Sequence, residues 1–223
     1  MSTLHHLNIA VHVVFGTLAL LVGLGPMLTA KGSAAHGRWG RWFLGLATVV
    51  LVSAVLGLAV FNFRPFLTVV VLLSVYQAYS GHRALRTRAT GPTLQDGLFS
   101  AGFLLGAGAF LLLLPRIALV WSPVVMYSTL GTLLALTVYD LSRFGWRDRW
   151  RQGAWLYEHI WKMMSTYAAL LSAFTGTVLD AYKPYSQFLP SVLGSAGALG
   201  FMVYTYRLRR SRPRNAPAGP AGA

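Results

Sequence analysis

The chain has 223 residues, of which 55% are hydrophobic and only 11% charged, with 19 Lys and Arg against 5 Asp and Glu and a formal net charge of +14. A soluble domain normally carries about twice that charged fraction, so most soluble classes are excluded and the composition is that of a membrane protein. Cysteine is absent, which removes disulfides, thiolate metal sites, iron-sulfur clusters and covalently attached haem.

A helix needs about 20 apolar residues to cross the hydrocarbon core. Seven such runs succeed one another at approximately 7–30, 40–60, 65–82, 97–114, 120–139, 155–178 and 187–206. The first has no Lys or Arg ahead of it, is too long for a signal peptide, and meets its first positive charge, Lys31, only after the run. It reads as a retained helix with a translocated N-terminus. Turn chemistry marks the boundaries at Lys31-Gly32-Ser33, Arg64-Pro65, Gly91-Pro92, Pro115-Arg116, Trp121-Ser122-Pro123 and Lys183-Pro184. The sequence therefore predicts an all-α integral membrane bundle of seven transmembrane helices over residues 1–210. The Pro-, Gly-, Ala- and Arg-rich segment 211–223 cannot bury a core and is expected to be disordered.

Basic residues set the direction. Lys31, Arg38 and Arg41 come after the first run, Arg83, Arg86 and Arg88 after the third, Arg143, Arg147, Arg149 and Arg151 after the fifth, and Arg207, Arg209, Arg210, Arg212 and Arg214 after the last. Only Arg64, Arg116 and Lys183 lie on the other side. That asymmetry predicts an N-out, C-in chain in the bacterial inner membrane, with the basic clusters against anionic lipid headgroups. The segment Trp146-Arg147-Asp148-Arg149-Trp150-Arg151 is read in the same way, as interfacial, and nucleic acid is not an expected partner. A homo-oligomer or a membrane partner chain is left open.

Laid on itself at an offset of 119, the chain pairs Trp42, Leu51, Ser53, Ala54 and Gly57 with Trp161, Leu170, Ser172, Ala173 and Gly176, and Arg64-Pro65-Phe66 with Lys183-Pro184-Tyr185. This suggests a 3+1+3 parallel repeat about the membrane normal; chance matching of common bilayer residues is the alternative.

Ionisable residues inside spans cost free energy and are functional hypotheses by default. His12 shares a helical face with His5 and Asn8 in the outer half of the first helix. Asp140 closes the fifth helix, and Glu158, His159 and Lys162 open the sixth, at the inner surface. His36, His82 and His159 fall at one depth on that inner side. Three imidazoles with Glu158 or Asp140 form a ligand set for Zn²⁺ or another divalent metal. Two of them facing each other form a ligand pair for b-type haem, with Arg38 and Arg41 at the propionates. Capping or interfacial placement of the histidines is the third reading. His159 and Met163, an i, i+4 pair, suit packing or a copper site. Hydrolase and nucleotide signatures are absent.

Lys31-Gly32 with His36-Gly37-Arg38-Trp39-Gly40-Arg41, and His159-Ile160-Trp161-Lys162-Met163-Met164-Ser165-Thr166-Tyr167-Ala168-Ala169 continuing to Ser172-Ala173-Phe174, resemble segments of a family of uncharacterised bacterial polytopic membrane proteins. Tyr79-Ser80-Gly81-His82-Arg83-Ala84-Leu85 is similar to the end of that family's third helix, except that an aromatic residue is expected where His82 stands. The resemblance implies a multi-pass membrane fold and supplies no activity.

Three functions stand as expectations. The first is a small haem- or metal-binding redox module with its histidine cluster at the cytoplasmic face. The second is a metal-dependent lipid hydrolase with Glu158 or Asp140 as base. The third is a non-catalytic transporter-like or assembly protein.

Overall fold

A computed structural model describes residues 2–113 and 123–211. The boundary signals at Pro115, Arg116, Trp121 and Ser122 and the expected disorder of 212–223 lie outside the described residues. Within them the chain is helical throughout, with no strand. The long helices are α1 (Thr3–Leu28), α2 (Ala34–Leu56, continued by the π-helical turn Gly57–Phe61), α3 (Pro65–Arg86), α4 (Leu94–Leu113), α5 (Pro123–Ser142), α6 (Trp155–Val178) and α7 (Tyr185–Ser211).

Local chemistry sets several ends. Ser2 accepts a hydrogen bond from the His5 amide and caps α1, and Ser33 does the same for α2 through the His36 amide at 3.1 Å. The second cap starts α2 six residues before the apolar run and draws His36 and Arg38 into the helix. Pro65 occupies the first turn of α3, where its missing N–H costs nothing. Asp96 opens α4, its carboxylate accepting from the Thr93 amide at 2.8 Å and hydroxyl at 2.7 Å.

Four helices are long and apolar enough to cross a membrane: α1, α2 with its π-helical extension, α4 and α7. Only 11–28% of each span is buried inside the protein, with Leu4, Leu21, Leu105, Leu112, Val192 and Leu193 on the outside, the side chains that hydrocarbon would solvate. Helices α3, α5 and α6 are of comparable length and carry buried polar side chains. Gln77 and Ser80 on α3, Thr137 and Asp140 on α5, and Glu158, Lys162 and Thr166 on α6 are buried inside the protein. These polar side chains thus face the inside of the bundle, as burial in lipid requires.

Two apolar cores result. Val69, Tyr76, Ala107, Met126, Leu130 and Leu133 join α3, α4 and α5. Ala19, Leu20, Phe43, Ala47, Val50 and Leu170 join α1, α2 and α6. Helix α7 lies along α6, and the α3–α6 contact links the two halves. At that contact a Cβ on Gly81 would stand 2.6 Å from Met163 Cε and 2.7 Å from Lys162 Cβ, so the helices touch backbone to side chain.

The repeat expectation does not carry into the packing. Helix α1 lies along α2, while its counterparts under the offset, α5 and α6, do not lie side by side. Side-chain matches at common bilayer residues therefore did not bring a common arrangement with them.

The basic connectors gather at one end of the bundle. Lys31 stands 4.3 Å from the centre of the Phe201 ring near the end of α7. Arg88 faces Trp155, and Arg147 donates to the Thr90 carbonyl through Nε at 3.0 Å and through Nη2. Gly91, at φ +82°, gives the Arg147 side chain its room, since a Cβ there would lie 2.7 Å from Arg147 Cγ.

Candidate functional site

Beneath that basic end lies a buried charge network that the sequence offered only in pieces. Asp140, in the last turn of α5, accepts from Lys162 Nζ at 2.7 Å on each oxygen. The same ammonium reaches Glu158 Oε1 at 2.7 Å, one helical turn away on α6. Arg143 Nη1 donates to Glu158 Oε1 at 2.6 Å, and Arg143 Nη2 lies 3.5 Å from Asp140 Oδ2. Trp150 Nε1 donates to Glu158 Oε2 at 2.6 Å, and the Tyr76 hydroxyl donates to Asp140 Oδ2 at 2.6 Å while meeting Ser100 Oγ at 2.9 Å.

The turn before α6 makes this possible. Gly153 adopts φ 157° in the π-helical segment Trp150–Ala154, and a Cβ there would run into the Arg209 guanidinium. The bend folds Trp150 back over Glu158, eight residues on. Two cations meet two carboxylates, all three Lys162 protons are used, and every carboxylate oxygen has a donor. Such saturation is what lets buried charges persist, because their desolvation cost is recovered only when geometry and hydrogen bonding are complete.

A second ion pair stands nearer the surface. Arg83 binds Asp96 through two bonds, Nε to Oδ1 at 2.7 Å and Nη2 to Oδ2 at 3.1 Å, and reaches the Thr93 hydroxyl at 2.8 Å. These bonds to Asp96 raise the Arg83 pKa above its ordinary value.

The histidine layer occupies the other side of the α3–α6 contact. His36 Nδ1 lies 2.9 Å from the Pro26 carbonyl at the end of α1, where Lys31 Nζ also caps Pro26 at 2.9 Å. His159 Nδ1 lies 2.9 Å from the Gly81 carbonyl of α3. A carbonyl can only accept, so Nδ1 of each ring carries a proton, and Nε2 has no hydrogen-bond partner among the described residues. His82 has no hydrogen-bond partner among the described residues, and His36 and His82 both lie within electrostatic reach of His159.

The sequence placed these three rings at one depth, and the structure sets His36 and His82 each near His159. It does not assemble the expected metal set. Among the described residues no group of three His, Asp or Glu side chains is close enough to hold a metal ion, and Glu158 is consumed by Lys162, Arg143 and Trp150. A haem between His82 and His159 has no space, because α3 and α6 touch at Gly81. Met163 is packing, its methyl group lying against Gly81. Arg38 and Arg41 are exposed and form no ion pair among the described residues.

The polar stripe of α1 joins it to α2. Ser53 Oγ donates to the Val50 carbonyl at 2.8 Å and so accepts from His12 Nδ1 at 2.9 Å, while Asn8 Nδ2 donates to the Ser53 carbonyl at 3.1 Å. His5 stacks on Phe61 with centroids 4.6 Å apart.

Sequence reasoning named Asp140, Glu158 and Lys162 but missed Arg143, Tyr76, Ser100 and Trp150. Arg143 was counted only as a topology charge, although its i, i+3 spacing from Asp140, beside Glu158 and Lys162 at i, i+4, was a readable signal. Tyr76 and Ser100 carry no such signal. No family model, curated protein or solved structure matches the chain.

Proposed function

We propose that the chain is a seven-span protein of the bacterial inner membrane, N-out and C-in, that holds a metal centre at its cytoplasmic side through Nε2 of His36 and His159. The membrane reading rests on the four long apolar helices and on the burial of the polar side chains of α3, α5 and α6 inside the protein, and the orientation on the basic end of the bundle. That end would lie against anionic headgroups.

One observation carries the centre: two imidazoles on different helices, each with Nδ1 fixed by a backbone carbonyl and Nε2 without a hydrogen-bond partner among the described residues. Metal-binding histidines are oriented in this manner, the second-shell carbonyl setting the tautomer and the ring plane. One turn from Gly81 on α3, the buried Gln77 Oε1 has no partner among the described residues, an acceptor left for a group from outside the chain. The two segments that carry the family resemblance also supply the two bonded histidines.

A haem iron or a bare divalent ion would use the same nitrogens, and Arg38 and Arg41 are free to meet propionates. Either would make the chain a small redox module. The hydrolase reading has less support, since both carboxylates offered as base are saturated by cations.

Detergent-purified protein should show either a haem absorption band or near-stoichiometric metal by elemental analysis. His159→Ala and His36→Ala should each abolish it, and His82→Ala should cost less. Protein with neither signal, after expression with haem precursors and metals supplied, would leave a non-catalytic bundle.

A further inference from the structure

Two hollows follow one another along α7. The first, about 240 Å³, lies where α5, α6 and α7 meet, with Leu136, Trp161 and Met202 among its walls, and almost all the surface it exposes is apolar. The second, about 570 Å³ and open to the outside, is lined by Val203, Tyr206, Arg207, Arg210 and Ser211 at the end of the helix.

One face of α7 joins them. Met202, Tyr206 and Arg210 succeed each other at i, i+4 spacing, which sets the two arginines about 8 to 12 Å beyond Met202 along the helix axis. The second hollow is basic and has no counter-charge of its own. No acidic side chain lines it, Arg210 Nη1 donates to the Tyr206 hydroxyl at 3.4 Å, and neither Arg207 nor Arg210 forms an ion pair among the described residues. Arg209, between them in the chain, turns instead toward Gly153.

This pairing of surfaces selects among ligands. The apolar crevice accepts a hydrocarbon chain but cannot prefer one lipid to another, because every lipid tail is as apolar as its walls. Preference has to come from the arginines, whose guanidinium forks match phosphate oxygens. An acidic peptide or a free anion would meet the arginines and leave the crevice unused, and a cationic amphiphile would be repelled. A lipid with a net negative head meets both surfaces.

We propose that this face of α7 binds one anionic phospholipid, with an acyl chain in the crevice beside Leu136 and Met202 and its phosphate at Arg207 and Arg210. The proposal rests on the membrane reading and uses none of the histidines, so lipid binding and metal retention, measured on one preparation, fail separately.

Native mass spectrometry of the detergent-purified full chain, titrated with dioleoyl-phosphatidylglycerol or dioleoyl-phosphatidylcholine, tests it. The first phosphatidylglycerol should bind about 25-fold more tightly than phosphatidylcholine, about fivefold for each arginine. Arg207→Gln/Arg210→Gln should bring the two lipids to near equality, while Arg86→Gln/Arg149→Gln, which removes two exposed arginines elsewhere at the same end, should keep the preference. Leu136→Trp, which fills the crevice, should weaken both lipids alike and leave their ratio. Equal affinities in the unaltered chain, or an unchanged ratio in Arg207→Gln/Arg210→Gln, overturn the proposal. An equal loss in the Arg86→Gln/Arg149→Gln chain would reduce the preference to surface potential, unaltered affinities in Leu136→Trp would remove the chain from the crevice, and displacement by inorganic phosphate at equal concentration would make the hollow a site for soluble anions; each of these also rejects it. A chain that stays monomeric without detergent would instead remove the membrane reading itself.

Discussion

Lys162 Nζ lies 2.7 Å from both carboxylate oxygens of Asp140, with each side chain almost wholly buried. This contact joins α6 to α5, two helices that do not otherwise lie side by side.

Its removal should be costly in a specific pattern. Lys162→Met leaves two buried carboxylates against one guanidinium and is expected to lower stability by about 3–5 kcal/mol. Asp140→Asn/Lys162→Met restores the balance between Arg143 and Glu158 and should recover a substantial part of that loss. SDS-titrated unfolding monitored by circular dichroism measures both; a double variant less stable than Lys162→Met would contradict the charge-balance account.

Gly81→Ala places a methyl group into Lys162 Cβ and Met163 Cε, and overpacking of this kind costs about 1–3 kcal/mol. Gly102→Ala, where the added carbon meets nothing within 4 Å, is the control and should be neutral or slightly stabilising. The same unfolding titration compares them.

Asp96→Asn removes the charge from a two-bond ion pair that also organises the start of α4. A loss of about 2 kcal/mol is expected, with Thr93→Ala costing less because the Arg83–Asp96 bonds survive. Equal effects would shift the weight from the ion pair to the cap.

Reporter fusions at Gly91 and Pro220 should both read cytoplasmic. The basic connectors share one end of the bundle, so a periplasmic signal at either point would reverse the proposed orientation.

Much of the helical layout was legible because each element announces itself locally. Apolar runs placed the helices, and the proline at Arg64-Pro65 marked the start of α3. The early start of α2 was missed because Gly37 and Arg38 lie ahead of the apolar run, whereas the Ser33 cap begins a helix even ahead of such residues. The histidine layer was legible from depth alone, as alternating spans bring the start of α2, the end of α3 and the start of α6 to one side. Convergence depends on rotation about each helix axis, which hydropathy does not encode, and so the metal set with Glu158 was anticipated and the saturation of Glu158 was not. The charge network draws on α3, α4, α5, α6 and the connector holding Arg143 and Trp150, and no short window contains both ends of any of its interhelical bonds.

The division into two apolar cores also bears on how the chain is made. Helices α3, α4 and α5 are consecutive and can complete their shared core as soon as α5 leaves the ribosome. The hairpin of α1 and α2, though synthesised first, shares its core with α6 and must wait in the bilayer while the intervening helices are inserted. A nascent chain halted after Ser142 would therefore hold a finished α3–α5 unit beside an N-terminal hairpin whose Phe43 and Leu20 still lack their α6 partner, and the arrival of α6 joins the two before α7 packs along it.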